Sequence, residues 1–123
     1  MKQQLSVLLV EKDESSADEI RSIIESSGKY EIITAKNLAN AMLISSQQHF
    51  DLLITNHWGE EKDNLIELKN RLPTLMVTNK QQSEAFIKNH ESLVTCCLDY
   101  SEIGEKLLRA SKKAIDRYRL DLE

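Results

Sequence analysis

The chain has 123 residues, 41% hydrophobic and 29% charged, enough to bury one core and hardly two. Its 16 basic and 20 acidic residues leave a net charge of −4, which does not favour nucleic-acid binding, although a local basic cluster runs through Arg109, Lys112, Lys113, Arg117 and Arg119. No apolar stretch approaches the roughly 20 residues of a membrane span, and the apolar run at Leu5–Val10 is too short for a secretory signal core.

The elements follow in order. LSVLLV at Leu5–Val10 is a continuous apolar run of strand length, and the polar EKDESS after it can cap a helix. Ala17, Ile20, Ile23 and Ile24 recur at helical spacing, with Gly28 as the terminating residue. YEIIT at Tyr30–Thr34 reads as a second strand. Asn37 then caps a helix that places Leu38, Ala41, Met42 and Ser45 on one face. FDLLIT at Phe50–Thr55 is the third strand, and Asp63–Leu72 a short helix ended by Pro73. Leu75–Thr78 is a fourth strand, Ser83–Asn89 a weaker helix with Ala85, Phe86 and Ile87, and Leu93–Leu98 a fifth strand. Glu102–Leu122 is a long final helix.

Apolar strands separated by helices imply crossover connections, hence a parallel sheet covered on both faces. The expected architecture is a doubly wound α/β domain over residues 1–123 as one unit. Ligands of such folds sit beyond the carboxyl ends of the strands, which directs attention to Glu11, Lys12, Asn56, Thr78 and Asp99. The adjacent Cys96 and Cys97 are badly placed to bridge each other, which fits a reducing, cytoplasmic compartment. His49, His57 and His90 lack metal-ligand spacing, and neither a glycine-rich phosphate loop nor a nucleophile elbow is present.

VLLVEKDE at Val7–Glu14, DLLITN at Asp51–Asn56, Asp63 with NLIELK, and PTLMVTN at Pro73–Asn79 together resemble the receiver domain of bacterial two-component response regulators. The resemblance spans essentially the whole chain and implies the strand order 2-1-3-4-5, with residues 111–123 running past the family's fifth helix as a helical extension or connector. It implies a phosphoacceptor aspartate after the third strand, an acidic pair after the first that holds Mg²⁺, a hydroxyl after the fourth and a lysine after the fifth. Positioning and charge neutralisation do most of the work in such chemistry.

The departures carry the functional expectation. The acceptor position aligns with Asn56, whose amide is uncharged and cannot form an acyl phosphate. The acidic pair aligns with Glu11 and Lys12, and Mg²⁺ wants hard oxygen ligands rather than an ammonium. The lysine aligns with Asp99, or with Tyr100 after a one-residue slip. The proline four past the acceptor aligns with Glu60, and the switch aromatic of the fifth strand aligns near Cys96. Glu11 and Thr78 remain from the active set, with Asp63 as a peripheral match.

Lys12 is expected to fill the metal position, its ammonium hydrogen-bonding Glu11 and Asn56 and competing for Asp13, the one substitute metal ligand at hand. No metal, cofactor or catalytic residue is expected. The implied role is a degenerate receiver that acts by binding a partner protein or a second copy. Its expected contact surface is the face made by the fourth helix, fifth strand and fifth helix, or the extended final helix. His57 and Trp58 beyond Asn56 are candidate contacts. Leu108, Ile115 and Leu122 recur every seven residues, with Ser111 and Tyr118 between them, as a stripe needing a partner. The alternatives are a working receiver phosphorylated through Asp13, Asp63 or an aspartate that Asn56 replaces, serving as the N-terminal regulatory domain of a transcription factor or cyclic-dinucleotide enzyme, and a small-anion site at Lys12.

Overall fold

A computed structural model describes residues 4–56, 62–78 and 96–122. Five parallel strands, β1 (Leu5–Val10), β2 (Tyr30–Ala35), β3 (Leu52–Thr55), β4 (Thr74–Thr78) and β5 (Cys96–Asp99), form one sheet in the order β2-β1-β3-β4-β5. The helices are α1 (Glu14–Ser26), α2 (Leu38–Gln47), α3 (Lys62–Arg71) and α4 (Ile103–Leu122), the last entered through a 3-10 turn at Tyr100–Glu102. The doubly wound architecture expected from the alternation of elements, and the strand order implied by the resemblance, are those observed. The helix expected at 83–89 lies outside the described residues.

The sheet separates two apolar clusters. Val7, Leu9, Leu52, Ile54, Leu75 and Val77 face α1 and α4, where they meet Ile20, Ile24, Ile103, Leu107, Ala114 and Ile115. Leu8, Val10, Leu53 and Met76 face α2 and α3, where they meet Leu38, Ala41, Leu65, Leu68 and Leu72. Both sides of β1, β3 and β4 are therefore dry, which explains their unbroken apolar runs. The edge strand β2 exposes Glu31 and Thr34.

Local chemistry sets the boundaries. Asp13 caps α1 by accepting from Ser16 N–H at 2.9 Å and from its hydroxyl at 2.8 Å. Asn37 caps α2 through Asn40 N–H at 2.7 Å. After α1, Gly28 adopts φ +71° while its N–H donates to Glu25 O, a left-handed turn that a Cβ would strain. β3 starts at Leu52 rather than Phe50. Asp51 instead straps the entry to β1, its N–H donating to Ser6 O at 2.8 Å and its Oδ2 accepting from Ser6 N–H at 2.8 Å.

The final helix corrects an expectation. The sequence leads one to expect the Leu108–Ile115–Leu122 stripe as an unpartnered face. Ser111, Ala114 and Ile115 are instead buried in the core, Leu108 is exposed, and Tyr118 donates from its hydroxyl to Asn70 O at 3.1 Å. The seven-residue recurrence slid off the true 3.6-residue face, which runs through Ile103, Leu107, Ser111, Ala114 and Ile115. The side chain of Leu122 lies outside the described residues.

Candidate functional site

The strand order reverses direction between β1 and β3, so the crevice beyond their carboxyl ends is the switch point of the fold. Glu11 follows β1, Asn56 follows β3, and Tyr100 follows β5. Parallel pairing holds these ends together, with Val10 opposite Thr55 and Thr78 opposite Asp99. Asn56 N–H also donates to Val10 O at 3.3 Å.

Three donors converge on the Glu11 carboxylate. Asn56 Nδ2 donates to Oε1 at 2.6 Å, Asp13 N–H donates to Oε1 at 3.1 Å, and the Tyr100 hydroxyl donates to Oε2 at 2.5 Å. The residues so joined are 45 and 89 positions apart in the chain. Burial raises the Tyr100 pKa above its ordinary value, and the hydrogen bond to Glu11 and that carboxylate's charge raise it further. The phenol therefore stays protonated and donating at neutral pH. Asn56 Oδ1 is buried without a hydrogen-bond partner among the described residues.

The predicted site residues that the structure describes fall into distinct roles. Glu11 and Asn56 meet as the resemblance implied. Lys12 does not join them: it is exposed and forms no ion pair among the described residues. The expected ammonium contact to Glu11 and Asn56 is corrected, because neutral donors from Asn56 and Tyr100 take the carboxylate and spare Lys12 the desolvation of leaving water. Asp13 is committed to capping α1, and its hydrogen bonds with Ser16 lower its pKa. Asp99 likewise serves as a cap, accepting from Ser101 N–H at 3.0 Å at the start of the 3-10 turn. Tyr100, the residue one slip further on, is the one that reaches the crevice. Its role was missed because the strand end was drawn at Leu98, one residue early, and the signal was the aromatic directly after an acidic cap. Thr78 ends β4, but its side chain, like those of Cys96 and Cys97, lies outside the described residues, as do His57, Trp58 and Glu60.

These donors do not suit Mg²⁺. Among the described residues one carboxylate, Glu11, faces the crevice with both oxygens engaged, the place of its expected acidic partner falls to the exposed Lys12, and Asp13 is held by Ser16. No group of three His, Cys, Asp or Glu side chains with metal-binding geometry occurs among the described residues. The set is a hydrogen-bonded clasp that links the ends of β1, β3 and β5.

At the opposite end of the sheet, Gln4, Leu5, Ser6, Gly28, Glu31, His49 and Asp51 line an open depression of about 700 Å³. Its polar groups are mutually satisfied, with Ser6 Oγ donating to Glu31 at 2.8 Å and His49 Nε2 lying 3.1 Å from Asp51. Among the described residues no helix is long and apolar enough to cross a membrane.

No protein-family model and no curated protein matches the chain. Solved structures do. The signal receiver domain of an HD domain-containing protein from Pseudomonas fluorescens superposes with a TM-score of 0.77 at 16% identity, covering 98% of this chain and 93% of that one. A response regulator receiver domain protein from Clostridium thermocellum gives 0.76 at 19% identity, covering 94% and 98%. A response regulator from Thermotoga maritima gives 0.77 at 14%, covering 93% and 99%. The chain therefore has the fold of the response-regulator receiver domains.

Proposed function

We propose that this chain is a receiver-type signalling domain that works without phosphorylation, as a protein-interaction module rather than an enzyme. The observation that carries the reading is Asn56 at the acceptor position, with its amide spent on Glu11. The clasp supports it further. A working receiver needs a free carboxylate nucleophile, a metal nest and a cation for the phosphoryl oxygens. Here the corresponding places hold an amide, a fully engaged carboxylate and a phenol. Asp13, two residues on from Glu11, is tied up as a helix cap. Partner binding, or pairing with a second copy, would run through β5 and the final helix. The test is Mg²⁺ with beryllofluoride, followed by amide NMR. An inert crevice gives no saturable shifts at residues 11, 56 and 78; saturable shifts there overturn the reading.

A further inference from the structure

With Ile115 and Ser111 buried, the free face of α4 is its outer side, and that side is cationic. Arg109, Lys112, Lys113, Asp116 and Arg117 stand at helical spacings of three and four, all exposed, and together line an open groove of about 490 Å³. The stripe rises only about 12 Å along the helix. Asp116 sits 3.9 Å from Lys112, whereas Arg109, Lys113 and Arg117 form no ion pair among the described residues. Four cations and one carboxylate give the stripe +3 within a chain of net −4, so everything outside it carries −7. At physiological salt a field dies away over about 8 Å, so a short ligand seated on the stripe feels its positive charge far more than the acidic remainder of the chain.

From this we infer that the outer face of α4 docks an acidic amphipathic peptide segment of a partner protein. The inference rests on the interaction half of the reading above, not on the inert crevice. Carboxylates of such a segment would pair with Arg109, Lys113 and Arg117. Its apolar side chains would lie against the methylene stems that floor the groove, since long cationic side chains bury their stems and keep their heads in water. An extended polyanion fits worse. A duplex or a bilayer would overrun the 12 Å stripe and meet the −7 remainder of the surface.

The experiment uses the whole chain and a labelled helical peptide of alternating glutamate and leucine pairs, followed by fluorescence anisotropy and by amide shifts of the wild-type protein. Saturable binding with shifts confined to residues 109–117, weakened by added salt, is the expected result. Lys113→Glu and Arg109→Glu should each weaken binding roughly fivefold or more, while the matched reversal Lys36→Glu stays within about twofold. Shifts elsewhere, equal losses from all three reversals, or tighter binding of phosphatidylserine vesicles or a DNA duplex at the same salt would each overturn the inference. The wild-type shift map decides the matter even if a variant folds poorly. A response to beryllofluoride would overturn the inert crevice and leave this surface standing.

Discussion

Tyr100 gives the crevice its closure. Its ring is half-buried and its hydroxyl reaches Glu11, which joins the end of β5 to the end of β1. Tyr100→Phe keeps the ring and removes the donor, so it should cost about 1 kcal/mol, read as a lower urea midpoint with an unchanged slope. Two tyrosines also impose a pH dependence. Burial raises the pKa of Tyr30, helped by Asp116, and burial together with Glu11 raises that of Tyr100. The unfolded chain then loses these protons first, near the ordinary value of 10.0. The stabilisation is whole below that pH and drains away as pH climbs through the folded-state values. Urea midpoints measured across this range should fall in the wild type and fall less in Tyr100→Phe; equal slopes would detach Tyr100 from the effect. At this scale the sequence exposed Asn56 and Glu11 because each directly follows an apolar run. It did not expose Lys12, whose neighbours in sequence are acids but whose side chain finds water cheaper than a buried contact.

Among the elements, α4 is where periodicity misled and burial corrected. Ile115 is 4% exposed and packed in the α1–α4 core, whereas Leu108 is 36% exposed. Ile115→Ala should therefore cost about 2–4 kcal/mol and Leu108→Ala less than about 1, measured by chemical denaturation. A stripe awaiting a partner would have made both changes mild. Ser111 sits fully buried between them with its hydroxyl unpartnered among the described residues. Ser111→Ala removes an unpaired polar group and improves helix propensity, so it should stabilise by about 0.5–1 kcal/mol. The strand cores were legible because a two-sided sheet demands unbroken apolar runs. Their ends were less so, since caps such as Asp51 and Asp99 act through hydrogen bonds that leave no periodic trace.

For the whole molecule, alternation of strand and helix was enough to give the layers, because parallel strands need crossovers and crossovers bury both faces. The strand order came with the resemblance to receiver domains. Function could not follow from fold, since a site on a shared fold is defined by its own side chains. Asn56, an exposed Lys12 and the Glu11–Tyr100 bond are the features that set this crevice apart. The most direct measurement is intact mass after acetyl phosphate and Mg²⁺, on the wild type and on Asn56→Asp. A silent crevice predicts no added phosphoryl group on the wild type, and none that persists on Asn56→Asp, where an exposed Lys12 still replaces an acidic metal ligand in the sequence and Tyr100 stands where the resemblance implies a cation. A stoichiometric phosphoryl adduct on the wild-type chain would contradict it.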